Sequence, residues 1–166
     1  DYVHLEYLVP TRGLIGFRSQ FINDTSGEGT LIRSFDSYQP FKGEVPQRQN
    51  GVLVSNKEGT AMAYALSNLE DRGQMFIDPG TKVYEGMIIG LHNRDNDLAV
   101  NVCKNKKLTN VRASGSDDAI SLAPPKKFTL EQALEFINDD ELVEITPEAI
   151  RLRKKILNEK MRLRSQ

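Results

Sequence analysis

Lys104, Lys106, Lys107 and Arg112 lie within residues 98–116, a window that contains no acid. Asn101, Asn105, Asn110 and the run Ser114-Gly115-Ser116 are interleaved with them. Cationic side chains neutralise phosphates, and amide and hydroxyl groups donate to phosphate and sugar oxygens. These residue types in this pattern point to a nucleic-acid contact. No aromatic residue lies in the window, so base stacking is not part of that chemistry. Between Leu108 and Ala119 there is little to pack. A long polar segment between strands is either a functional loop or a plain solvated one.

A second basic group lies near the end of the sequence. Thr146-Pro147-Glu148 reads as a helix start, with a capping Thr, Pro at the first helical position and an acid near the positive end of the dipole. The helix expected from Pro147 to about Leu163 places Arg151, Lys154, Lys155 and Arg162 on one face. Ala149, Leu152, Ile156 and Leu163 share another. The basic stripe either faces phosphate or pairs, as a solvated face, with the acidic helix before it.

Other chemistry is missing. No G-x-x-x-x-G-K-[ST] occurs, so there is no P-loop. Asp24-Thr25-Ser26-Gly27 has the spacing of a GTPase switch element. Asn56-Lys57-Glu58-Gly59 begins like a guanine-reading motif but carries Gly where the carboxylate belongs. Without a P-loop neither signifies nucleotide binding. His4 and His92 lack a second ligand at metal spacing and read as strand residues. Cys103 has no C-x-x-C partner and reads as a buried strand-end thiol. The pairs Glu70-Asp71, Asp117-Asp118 and Asp139-Asp140 read as turn or helix-end residues. No catalytic residue and no metal site are expected.

The elements that must position the basic groups follow from composition and pattern. At 166 residues, 39% hydrophobic and 27% charged, the chain has the make-up of a globular domain rather than a disordered tail. Its net charge of −1 hides an uneven distribution. Residues 1–127 hold 15 acids and 15 bases, residues 128–148 hold 7 acids and no base, and residues 149–166 hold 7 bases and one acid. That excludes whole-molecule steering toward nucleic acid but not local contact. A single cysteine and no apolar run of about 20 residues point to a reducing cytoplasm and no membrane partner. The first residues open directly into a strand-like run with no starting Met, which reads as a piece of a longer protein.

Residues 1–38 read as strand, helix, strand. Tyr2–Val9 is β-branched and aromatic, Thr11 caps a helix carrying Leu14, Phe17 and Phe21, and Thr30–Tyr38 is a second strand. This is half of a split β-α-β unit, and two strands with one helix are too little for a stable layer. Pro40 to Pro46 is linker-like. From Gly51 to Ala123 short strands alternate with Gly, Asn and Asp turns: Val52–Val54, Ala61–Leu66, Met75–Ile77, Met87–Leu91, Leu98–Val102 and Ile120–Leu122. That spacing predicts an antiparallel barrel or sandwich. Leu66–Asp71 reads alternatively as one helical turn. Thr129-Leu130-Glu131-Gln132 fits a capping box opening a short amphipathic helix, and Leu142–Ile145 reads as a strand. The expected fold is α+β: the half unit over 1–39, then a mainly antiparallel, barrel-like domain over 40–166, β-rich from 50 to 123 and helical from 128 to 164.

Several blocks resemble one family. Pro10-Thr11-Arg12-Gly13-Leu14-Ile15-Gly16-Phe17-Arg18-Ser19, Gln47 to Ser55, Glu70-Asp71-Arg72-Gly73, Val83 to Gly90, Lys106 to Gly115 and Thr129 to Ile137 are similar to the BipA/TypA translational GTPases of bacteria. The resemblance implies that residues 1–38 are the second half of an elongation-factor-G-like domain V and that the remainder is the C-terminal domain particular to BipA. It also implies that GTP and Mg belong to a G domain outside this chain, which needs no cofactor of its own. The implied partners are the ribosome, through large-subunit rRNA and the acceptor end of A-site tRNA, and other domains of the parent chain. Lys106, Lys107, Asn110, Arg112 and Ser114 match the family's RNA-contacting loop, and Lys104 joins them on charge. The alternative is a protein-interaction module built on the acidic and basic C-terminal helices.

Overall fold

The computed structural model describes residues 3–43, 48–104 and 121–165. The chain forms two compact units, Asp1–Gln47 and Arg48–Gln166.

In the first unit a 3-10 turn, Thr11–Leu14, precedes helix α1, Phe17–Asp24. The single helix expected here is broken because Ile15 is extended and Gly16 adopts φ +77°, a left-handed conformation open to glycine at little cost. Thr25 Oγ1 closes α1 by donating to Phe21 O at 2.7 Å. The guanidinium of Arg12 stacks 4.4 Å from the centre of the Phe41 ring. The two expected strands are not formed among the described residues of this unit: residues 3–9 and 30–38 carry no ladder. Val3, Leu5, Ile32 and Phe35 stand exposed. A strand exists only where a neighbour accepts and donates its ladder hydrogen bonds. Among the described residues this unit is therefore a helix flanked by two segments without regular structure, and the β-α-β pairing is not seen there.

The second unit is built on a six-stranded sheet in the order β6-β1-β5-β8-β7, with β3 also pairing with β5. The strands are β1 Val52–Ser55, β3 Gly73–Met75, β5 Met87–His92, β6 Leu98–Val100, β7 Glu141–Ile145 and β8 Ile150–Lys154; β2 Gly59–Thr60 and β4 Lys82–Val83 form a separate ladder. Among the described residues only β1 and β6 run parallel; the other pairs are antiparallel. The expected barrel is corrected to an open sheet. On one side β5 gives its C-terminal half to β3 and its N-terminal half to β8, and the path ends at β6 and β7 without closing.

The central strand β1 is buried along its whole length, so its alternating side chains feed two cores. Leu53 packs with Leu66, Val83, Ile89 and Val102 on one face. Val52 and Val54 pack with Phe76, Ile88 and Leu152 on the other. There Phe76, Phe128 and Phe136 form a cluster with ring centres 4.8–5.4 Å apart. Helix α2, Ala63–Ser67, occupies part of the segment expected as strand Ala61–Leu66; its alanines favour the helix, and Ala65 and Leu66 point into the first core. The turn Glu70–Arg72 follows it. Helix α3, Leu130–Phe136, begins at the expected capping box: Gln132 N donates to Thr129 Oγ1 and Thr129 N donates to Gln132 Oε1.

The long helix expected from Pro147 to Leu163 is corrected to a hairpin and a short helix. Thr146 and Ala149 close the β7–β8 turn, with Thr146 N to Ala149 O at 2.9 Å and Ala149 N to Thr146 Oγ1 at 3.0 Å. β8 then pairs with both β7 and β5, and only Glu159–Ser165 is helical, as α4. A Thr-Pro pair suits a turn as well as a helix start. No helix among the described residues is long and apolar enough to cross a membrane.

Candidate functional site

Lys104 is exposed at the end of the described segment that follows β6. Lys106, Lys107, Asn110, Arg112 and Ser114 lie outside the described residues. The segments on either side are fixed to the sheet unit. On the leading side Val102 is fully buried and its carbonyl accepts from Met62 N at 2.9 Å. Cys103 N donates to Asn101 Oδ1 at 3.0 Å, and burial pushes the Cys103 thiol pKa up, away from nucleophilic use. On the trailing side Ala123 N donates to Glu70 Oε1 at 2.7 Å and Lys126 N to Met75 O at 2.9 Å.

The four bases of the expected helical stripe do not share a face. Arg151 sits on β8 beside Glu144, 3.8 Å away, with both side chains about one-third exposed. Lys155 is exposed just beyond β8, and Arg162, on α4, donates to the carbonyls of Ile156 and Leu157. Lys154 turns inward, its side chain 2% exposed, and meets Asp97 at 2.5 Å, Asp140 at 2.7 Å and Glu141 at 2.9 Å. Strand alternation explains the split: Arg151 and Arg153 take one side of β8, Leu152 and Lys154 the other.

Glu141, with a fully buried side chain, also takes both arms of Arg48, at 2.7 and 3.0 Å. Arg48 lies 4.5 Å over the Phe136 ring. Asp97 Oδ1 accepts from Val52 N at 2.9 Å. Burial penalises the Lys154 ammonium, but its bonds to Asp140, Asp97 and Glu141 outweigh that and hold its pKa above the usual lysine value. Carboxylate oxygens of Asp97, Asp140 and Glu141 lie within 4.8 Å of one another, a spacing that suits a metal ion. The Lys154 ammonium bonds all three and is the cation of the cluster. This arrangement ties together four separate stretches of chain and is structural.

A second polar site escaped sequence reasoning. A cleft of about 340 Å³ opens where the Glu70–Arg72 turn, the end of β5 and the β5–β6 turn meet. Arg72 and Arg94 line it, with Asp71, His92, Asn93 and Asn96. Their backbone is braced: Asn93 N donates to Arg72 O at 2.9 Å, Gly51 N to Arg94 O at 2.7 Å and Asn93 Nδ2 to Asp71 O at 3.2 Å. Gly73 permits this close approach, since a Cβ there would lie 1.8 Å from Leu91 O. His92, on β5, has Nδ1 2.6 Å from Asn96 O, so Nδ1 carries the proton. The signal was present as two Arg residues each following an acid or amide, but nothing local joins segments twenty residues apart.

The residues present do not fit a guanine nucleotide. Asn56–Glu58 connect β1 to β2, with Ser55 Oγ donating to Lys57 O at 2.8 Å, and Gly59, which opens β2, offers no carboxylate.

Residues 50–159 match the family model of the TypA/BipA C-terminal domain, and residues 1–49 match that of the elongation factor G C-terminus. Proteins named large ribosomal subunit assembly factor BipA are similar along almost the whole chain. The Haemophilus influenzae protein is 60% identical over 164 residues, 98% of this chain and 27% of the relative. The Escherichia coli K12 protein is 58% identical over the same share of each, and that of Buchnera aphidicola 60% identical over 161 residues, 96% of this chain and 26% of the relative. The chain thus spans about a quarter of the length of these curated relatives. With the larger part of its residues matched by the domain model, the chain belongs to the TypA/BipA C-terminal domain family.

Proposed function

We propose that this chain is the ribosome-contacting C-terminal region of a BipA-type translational GTPase. On this reading residues 1–39 complete a domain V-like unit and residues 40–166 form the family-specific domain. Residues 103–116 contact large-subunit rRNA and the acceptor end of A-site tRNA, with Lys104, Lys106, Lys107 and Arg112 on phosphates and Asn110 and Ser114 on sugar or phosphate oxygens. GTP and Mg are held by the parent's G domain, and this chain contributes binding rather than hydrolysis in the cytoplasm. The observation that carries the reading is a run of four bases without an acid, flanked on both sides by segments bonded to a rigid sheet. Such flanks fix where the cationic segment leaves and rejoins the sheet unit. The relatives' name, large ribosomal subunit assembly factor, supports the ribosome as partner.

The test uses the full-length protein and ribosome pelleting across salt. Replacing Lys106, Lys107 and Arg112 together by Ala removes three charges, at about 0.7–0.9 each in the log–log salt slope. The slope should fall by roughly 2–3 units, and affinity at low salt should drop by at least about tenfold. An unchanged slope defeats the loop assignment. Binding that survives RNA digestion favours a protein partner instead.

A further inference from the structure

We propose that the cleft between Arg72 and Arg94 is a binding site for one nucleotide of unpaired RNA, its phosphate held by the two guanidinium groups and its base amine by Asp71. The proposal deepens the ribosome reading and rests on it for the source of the RNA.

Uncommitted charge is the first argument. Both arginines spend their backbone carbonyls on the fold, yet among the described residues neither guanidinium has an ion pair or a side-chain hydrogen bond. Elsewhere in the same unit Arg48, Arg151, Arg153 and Arg162 have partners, while Arg164, on α4, has none among the described residues. Two planar forks on a braced frame suit an oxyanion, which guanidinium groups bind in bidentate fashion. Their backbone is held by bonds to the sheet, so the site needs little ordering when a ligand arrives.

Size and chemistry then select the ligand class. A volume of about 340 Å³ is far more than one phosphate needs and lies in the range of small-molecule pockets. The lining is mixed: two guanidinium donors, the Asp71 carboxylate as acceptor, the Asn93 amide, and a histidine whose neutral form presents Nε2 as acceptor. A carboxylate beside two cations opposes a simple polyanion site. It is useful where the ligand carries an amine, as the exposed edge of an unpaired cytosine, adenine or guanine does. A lone-pair nitrogen on His92 suits a ribose hydroxyl, the group that separates RNA from DNA.

The experiment is an NMR titration of the labelled 166-residue chain, following the His92 ring and the Arg72 and Arg94 Nε signals. The probes are cytidine 5′-monophosphate, uridine 5′-monophosphate, inorganic phosphate, and short cytidine oligomers of RNA and DNA. The expected result is saturable shifts at His92 and both arginines, with cytidine monophosphate binding at least fivefold tighter than the uridine compound or phosphate. The RNA oligomer should outbind its DNA counterpart. Arg72→Gln or Arg94→Gln should weaken cytidine monophosphate at least fivefold. Arg94→Glu, on an exposed turn, serves where Arg72→Gln disturbs folding, as judged by loss of amide dispersion. Equal binding of phosphate and both nucleotides overturns the nucleotide assignment. RNA-induced shifts confined to residues 103–116 overturn the cleft while leaving the ribosome reading standing. Shifts at the cleft with none in 103–116 support the cleft and count against the loop.

Discussion

Replacing Lys154 by Met should be among the most damaging single changes in the second unit. Met nearly matches the length of the lysine stem and keeps its packing, so the loss isolates the charge. Removal leaves Glu141, fully buried, facing Asp97 and Asp140 with Arg48 as the one remaining cation of the cluster. Asp140 is well exposed and contributes little. The cost resides in the Lys154–Glu141 contact and in the Asp97 carboxylate, for which removal of one buried partner costs about 3–5 kcal/mol. A domain of this size is stable by about 5–15 kcal/mol. With a urea dependence of about 2 kcal/mol per molar, the unfolding midpoint should fall by roughly 2 M at pH 7. Urea unfolding at pH 7, read by far-ultraviolet circular dichroism, measures the loss. A loss below about 1 kcal/mol would refute the charge argument.

Other perturbations have sharp expectations. The Lys154 pKa is raised on folding, so its stabilisation is complete below the ordinary lysine value and is lost as pH rises through the higher folded value; urea midpoints should hold to about pH 10 and drop above it. Thr129→Ala removes the side-chain half of the α3 capping box and should cost about 1 kcal/mol in the same urea assay. Gly73→Ala places a methyl against Leu91 O and should prevent β3 from pairing with β5, seen as loss of amide protection at Phe76, whose N–H donates to Ile89 O just beyond β3.

The legible parts of the fold were those set by neighbours in sequence. Thr129 and Gln132 are three residues apart and cap one helix, and Val52-Leu53-Val54 reads as a buried strand whatever surrounds it. The segment Ile150–Lys154 was illegible for the opposite reason. Leu152, Ile156 and Leu163 fit a helical period, while Ile150, Leu152 and Lys154 fit a strand period equally well. Pairing with β5 and β7 decides between them, and those partners are remote or read separately. The burial of Lys154 depends on Asp97, far away in sequence, and on Glu141, itself held by Arg48. Charge counting gave Lys154 to a basic helical stripe, phosphate-facing or solvated, because a sequence pattern carries no information on which distant acids converge on it. In the first unit, β-branched residues suggested strands but could not supply a ladder partner. Of the candidate site, the basic run was visible as composition, and Lys104 is exposed. The cleft at Arg72 and Arg94 was invisible because its two sides come from segments joined through β3 and β5.

The ribosome-contact reading is tested most directly by chemical footprinting of large-subunit rRNA with the full-length protein bound, comparing wild type with the Lys106→Ala, Lys107→Ala, Arg112→Ala variant at concentrations that saturate both. The account predicts protections near the peptidyl-transferase centre that disappear in the variant while other protections persist. Identical protection patterns for the two proteins would contradict it.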